Sequence, residues 1–96
     1  MPSKPASSRK PVQVLIPSAL RSYTQSGRAE AQGATLCALL DDLERQYPGI
    51  RFRMIDEQGR IRRHIRIFIN GEQCHDLATA LDARAEVIIA QALSGG

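Results

Sequence analysis

The stretch Glu86-Val87-Ile88-Ile89-Ala90-Gln91-Ala92-Leu93-Ser94-Gly95-Gly96 decides how this chain is read. Val87 to Ala90 has the short, β-branched apolar pattern of a buried strand, and no turn signal separates it from the small residues that follow. The last strand is therefore expected to release residues 93–96 as a flexible tail. A Gly-Gly end has no side chains to work with, so any role involves its backbone and the Gly96 carboxylate. Glycine also lets another surface approach closely. Such a tail can thread a narrow channel and deliver its carboxylate to an active site on another protein. Four residues beyond Ala92 reach about 13–14 Å at full stretch. The plain alternative is a frayed end that happens to be glycine. Two successive glycines arise by chance at roughly 0.5%, so the rest of the chain must say whether it is built to present a tail.

Working outward, Val12-Gln13-Val14-Leu15-Ile16 is a second apolar run, ended by Pro17, and predicts a first strand. Leu20 is expected to pack underneath as the chain turns through Arg21 to Gly27. Arg28 to Gln32 is a short return strand, weakly marked because Ala29 and Ala31 stand where β-branched residues fit better. Leu36, Leu39, Leu40, Leu43 and Tyr47 form one stripe at helical period. Thr35 is placed as the N-cap of that helix and Pro48-Gly49 as its stop. Cys37 lies beside the stripe and reads as a packed core thiol.

Ile50 to Ile55 predicts a further short helical turn. Ile65-Arg66-Ile67-Phe68-Ile69 alternates as a strand, and Asn70-Gly71 is a strong hairpin signal, which makes Glu72-Gln73-Cys74 an antiparallel partner. His75 to Leu81 is a loop that buries Leu77 and Leu81. Separated strands with one long amphipathic helix define an α+β fold, a mixed sheet of four to five strands with the helix across one face. The two most apolar strands, first and last, suit neighbouring central positions. The expected organisation is an N-terminal arm over residues 1–10, one domain over 11–92, and the tail over 93–96.

Composition bounds the function. Ninety-six residues make a single modest core, 43% of them apolar, with only Phe52, Phe68, Tyr23 and Tyr47 as aromatics. Leu36 to Leu40 is too short to span a bilayer, and Met1 to Lys10 lacks the apolar run of a secretory signal. Reduced thiols at Cys37 and Cys74 and a cytoplasmic location are the expectation. Cys74-His75, with Cys37 and His64 elsewhere, has no metal-ligand spacing, and no metal site is expected. No Ser/His/Asp set or carboxylate pair suggests catalysis. Asp41-Asp42 is a solvated helix face.

The net charge is +3, and eleven of the thirteen basic residues are arginine. Arg51, Arg53, Arg60, Arg62, Arg63 and Arg66 form a cluster that could meet nucleic acid. Base stacking wants interleaved aromatics, and only Phe52 and Phe68 are near. A solvated or protein-facing basic surface is the better reading. Strand alternation also sends Ile65, Ile67, Ile69, Val87 and Ile89 inward and Arg66, Phe68, Ile88 and Ala90 outward. Phe68 and Ile88 would form an apolar docking spot beside Arg66. Alternation alone leaves open whether the Arg51 to Arg63 segment covers it.

Taken in order, the chain resembles the ubiquitin-like β-grasp sulfur carriers of the MoaD/ThiS type, which include the small subunit of molybdopterin synthase and the thiamin thiazole carrier. The resemblance covers Val12 to Gly96. It rests on Val14-Leu15-Ile16-Pro17-Ser18-Ala19-Leu20-Arg21, on Gly33-Ala34-Thr35-Leu36, and on Leu43-Glu44-Arg45-Gln46-Tyr47-Pro48-Gly49. It continues through Ile67-Phe68-Ile69-Asn70-Gly71-Glu72 and Glu86-Val87-Ile88-Ile89 to Gly95-Gly96. The long Ile50 to Arg66 segment looks like the branch serving cysteine or other thio-metabolites. Two departures stand out. Asp82-Ala83-Arg84 replaces a Gly-Asp turn, and Ala90-Gln91-Ala92-Leu93-Ser94 replaces a Pro-containing tail.

The resemblance implies a carrier and cosubstrate, not an enzyme. An E1-like adenylating/sulfurtransferase partner would consume ATP to activate the Gly96 carboxylate, and sulfur would be carried as 1-thioglycine at Gly96. A second, sulfur-accepting biosynthetic enzyme would take it up, with no cofactor bound by the chain itself. Leu93, Ser94, Gly95, Phe68, Ile88 and Arg66 would contact partners. The same tail also fits a ubiquitin-like modifier joined to lysines through Gly96. A nucleic-acid-binding module using the arginine cluster is the third reading, and a membrane role is not expected.

Overall fold

A computed structural model describes residues 11–82 and 84–92. Five strands form one mixed sheet: β1 Val12–Leu15, β2 Arg28–Ala31, β3 Ile65–Ile69, β4 Glu72–Cys74 and β5 Glu86–Gln91, in the order β2-β1-β5-β3-β4. β1 and β5 run parallel at the centre, and every other pairing is antiparallel. The two apolar strands thus become neighbours, as their composition suggested. A parallel pair needs a long crossover, and here nearly the whole chain between residues 15 and 86 supplies it.

The main helix, α2 (Leu36–Gln46), covers one sheet face. Leu36, Leu39, Leu40 and Leu43 are fully buried against Val12, Val14, Ile65, Ile67, Val87 and Ile89. Burying each leucine contributes about 1.5–3 kcal/mol. The Thr35 side chain accepts a hydrogen bond from the Ala38 N–H at 3.2 Å, as a cap should. The carbonyls of Thr79 and Leu77 accept from Leu36 and Cys37 N–H at 2.9 and 2.8 Å. The loop after β4 therefore fixes the helix entry through its backbone. Leu81 is buried as expected, but Leu77 is only half-buried. Cys37 is half-exposed on the first turn rather than packed in the core, because it sits at the margin of the apolar stripe.

Gly33 lies where the chain passes under this helix. A Cβ built there would stand 2.4 Å from the Leu39 nitrogen and 2.7 Å from the Ala38 carbonyl carbon, so only glycine permits the approach.

Arg21 to Gly27, expected as a turn, instead begins as a helix: a 3-10 turn (Ser18–Leu20) runs into α1 (Arg21–Thr24). Leu20 anchors this segment in the core, and Arg21 Nε donates to the Ile16 carbonyl at 3.0 Å. Gln25 then ends the helix in the left-handed region, and Thr24 Oγ1 donates to the Ser26 carbonyl at 2.6 Å. Polar residues read as loop chemistry here make a capped helical turn.

α3 (Ile50–Met54) fills the predicted position and buries Ile50, Met54 and Ile55 completely. Its entry is held by Glu44, whose two carboxylate oxygens accept from the N–H groups of Gly49 (2.9 Å) and Arg51 (3.0 Å). Those bonds, Gly49 first and then Arg51, hold the Glu44 carboxyl below its ordinary range. The β3–β4 hairpin turns on Asn70 and Gly71, both at positive φ as a two-residue turn of this kind requires. Asn70 also grips β5: its N–H donates to the Glu86 carbonyl at 2.9 Å, and its Oδ1 accepts from the Glu86 N–H at 3.0 Å.

Candidate functional site

The site begins where β5 leaves the sheet. Ile65 pairs with Gln91 and Arg66 with Ala90, and the Ala92 N–H donates to the His64 carbonyl at 2.8 Å. The strand is thus held by backbone hydrogen bonds up to Ala92. Leu93, Ser94, Gly95 and Gly96, on which the sequence reading placed the reactive end, lie outside the described residues. The last described strand, β5, is flanked on both sides, by β1 and β3.

The sheet face opposite α2 carries the remaining candidates. Phe68 and Ile88 are direct cross-strand partners, both half-exposed, and Leu15 is paired with Ile88 on the other side. With Arg28 opposite Leu15 and Gln73 opposite Phe68, one row crosses the whole sheet: Arg28, Leu15, Ile88, Phe68, Gln73. Its three central members are apolar and contiguous. One row nearer the tail lie Ala90 and Arg66; one row further away lie Glu30, Gln13 and Glu86. Gln13 Nε2 donates to Glu30 Oε2 at 2.6 Å in that far row. The open face is therefore acidic and polar at its far end, apolar in the middle and basic at Arg66, beside Ala90.

Leu15 did not figure among the residues expected to meet a partner. The signal was present, because the alternation that buries Val12 and Val14 sends Leu15 outward with Ile88.

The Arg51 to Arg63 segment sends Met54 and Ile55 into the core, and its Phe52, Arg53 and Arg62 line a cavity with Ile65 and Gln91 at the end of β5. The Arg62 N–H donates to the Met54 carbonyl at 2.8 Å, and Ile55 bridges Ile61. Phe52 projects from it with 57% of its surface exposed, its ring 4.5 Å from the Arg62 guanidinium. Arg66 folds back so that Nη1 donates to the Arg63 carbonyl at 2.6 Å.

Cys74 ends β4, buried, with Sγ 3.3 Å from both the Asp76 carbonyl and Thr79 Oγ1. His75 beside it is exposed. Among the described residues no three His, Cys, Asp or Glu side chains gather as metal ligands, and no helix is long and apolar enough to cross a membrane.

A mixed five-stranded sheet in this order, with its last strand at the centre and one main helix across a face, defines a ubiquitin-like β-grasp protein. The model of the ThiS family matches residues 14–96, and the chain belongs to that family. It is 37% identical over 91 residues to the sulfur carrier protein CysO of Mycobacterium tuberculosis, covering 88% of this chain and 98% of that protein. The crystal structure of the Amycolatopsis orientalis BexX/CysO complex superposes with a TM-score of 0.81 at 31% identity, over 88% of this chain and 99% of the other. SAMP1 from Haloferax volcanii gives 0.76 at 25% identity, over 90% and 99%.

Proposed function

We propose that the chain is a sulfur carrier whose Gly96 carboxylate is adenylated by a partner enzyme, converted to a thiocarboxylate, and used to donate sulfur toward cysteine or another sulfur-containing metabolite or cofactor. The observation that carries this is the course of β5, a central strand held by backbone bonds as far as Ala92, the residue that precedes 93–96 in the sequence. Likeness to CysO supports it.

The chemistry explains why such a tail needs a partner. A carboxylate resists attack because its leaving group would be oxide. In the adenylating enzyme one carboxylate oxygen of Gly96 attacks the α-phosphorus of ATP, and pyrophosphate departs. A hydrosulfide-type nucleophile then adds to the acyl carbon, the bond to the AMP oxygen breaks, and AMP leaves with the electron pair. The thiocarboxylate sulfur becomes the nucleophile delivered to the acceptor enzyme. Leu93, Ser94 and Gly95 line the partner's channel in this reading, and Leu15, Ile88 and Phe68, with Arg66 beside them, form the docking face. ATP is the partner's substrate, and the chain works in the cytoplasm.

The test is intact mass. After incubation with the cognate adenylating enzyme, ATP and sulfide, one oxygen of Gly96 is exchanged for one sulfur; absence of that exchange refutes the proposal. Likeness to an archaeal protein of the small modifier group favours a second use of the same activated end, isopeptide bonding to lysines. Higher-mass adducts in cell extract that vanish on removing Gly96 would show it.

A further inference from the structure

We propose that the arginine-rich segment running from α3 into the start of β3 recognises an acidic surface of the adenylating enzyme, flanking the mouth through which the tail enters; this rests on the carrier reading above. Residues 50–66 hold six arginines (51, 53, 60, 62, 63 and 66) against two carboxylates, Asp56 and Glu57. The segment therefore carries +4 in a chain whose net charge is +3.

Internal pairing leaves most of this charge uncompensated. Arg51 lies 3.0 Å from Asp41, but among the described residues no carboxylate forms an ion pair with the other five. Asp56 is occupied by its own turn: its Oδ1 accepts from the N–H groups of Gln58 (2.8 Å) and Arg60 (3.0 Å). The guanidiniums are positioned by neutral acceptors instead. Arg62 Nε donates to the Phe52 carbonyl at 2.7 Å, Arg53 Nε to Tyr23 Oη at 3.0 Å, and Arg66 Nη1 to the Arg63 carbonyl. Each bond uses a small part of a five-donor fork. The remainder stays pre-oriented for carboxylates at little further entropic cost.

Position decides the partner. The His64 carbonyl accepts from Ala92, Arg66 stands opposite Ala90, and Arg53 and Arg62 line a cavity with Gln91. Arg60 and Arg63 continue the basic surface across β3 toward Gln73–Leu77, so the segment borders the end of β5 and spreads to the β4 side. A protein that receives the tail to its end must face these arginines. Nucleic acid is the weaker fit. Single strands need free aromatic platforms, and Phe52, the exposed aromatic here, already has the Arg62 guanidinium at its ring. Charges flanking a docking face act mainly on encounter rate and on salt dependence.

The experiment measures KM for the carrier in ATP–pyrophosphate exchange by the cognate adenylating enzyme across a range of ionic strengths. Arg53→Gln, Arg60→Gln and Arg63→Gln together are expected to raise KM about tenfold at low salt with kcat unchanged, and to flatten the salt dependence seen for wild type. Arg60→Gln with Arg63→Gln, neither of whose guanidiniums makes a tertiary hydrogen bond among the described residues, moves KM in the same direction should the triple variant fold poorly. Arg84→Gln, at the opposite end of β5, shifts KM less than about twofold. Equal KM and equal salt dependence in wild type and both arginine variants overturns the proposal while leaving the carrier reading intact. Competition by a single-stranded RNA oligonucleotide that binds wild type but not the triple variant overturns it in favour of nucleic acid. Failure of wild type to support exchange at all overturns the carrier reading and this proposal together.

Discussion

Gly33→Ala tests the packing on which the whole presentation of β5 depends. The added Cβ would meet three backbone atoms of α2: Leu39 N at 2.4 Å, the Ala38 carbonyl carbon at 2.7 Å and Leu39 Cα at 2.8 Å. Ordinary contact begins at 3.4 Å, so the shortest of these is 1.0 Å too close. Backbone cannot swing aside as a side chain can. Either α2 moves as a body, disturbing Leu36, Leu39, Leu40 and Leu43 in the core, or residues 33–35 lose the Thr35 cap. Overpacking of this kind costs about 2–3 kcal/mol. In a domain of this size that lowers Tm by roughly 10–20 °C. The assay is thermal unfolding followed by far-ultraviolet circular dichroism, with Gly27→Ala as control. There the nearest atoms to a Cβ belong to the Arg21 guanidinium, a side-chain end at 3.1–3.3 Å, and little net change is expected. A Gly33→Ala protein melting within about 2 °C of wild type would refute the claim that this glycine is required by close approach.

Glu44→Gln should cost about 1 kcal/mol at neutral pH, because it weakens a charged cap on two N–H groups at the entry to α3. The Glu44 carboxyl is held below its ordinary value of 4.5, so its contribution is complete above that value and declines as pH falls below it. Urea unfolding of both proteins from pH 7 to 3 should show the difference between them shrinking in the acid range; a difference independent of pH would contradict this. Phe68→Ala should raise KM for the carrier at least tenfold while destabilising the fold by only about 1–2 kcal/mol, since the ring is half-exposed and leaves Ile88 and Leu15 in place. An unchanged KM would remove the central row from the docking face. Deleting Gly96 should abolish the mass change on thiolation without altering Tm, and a Tm shift of several degrees would mean that the tail packs on the domain.

The elements and their order were legible in the sequence because their signals are local. The period of Leu36 to Leu43, the alternation of Ile65 to Ile69 and the Asn70-Gly71 turn each act within a few residues, and each appears where expected. The helical turn Arg21–Thr24, inside the stretch expected as a turn, was missed for a related reason. Serine and threonine serve turns and helix ends alike, and the buried anchor Leu20 decides between them only once a core exists.

By itself, the sequence determined the strands, the main helix, the hairpin and the small-residue end that marks Gly96 as the candidate reactive group. Only the tertiary structure decided which residues share a surface. Leu15, Ile88 and Phe68 are scattered along the chain, and the β1–β5–β3 register alone sets them side by side. The same pairing brings the arginines after α3 to the root of the tail, and the closeness of α2 reserves position 33 for glycine. Periodicity is written in neighbouring residues, whereas register and close approach arise only when segments far apart in sequence are buried against one another.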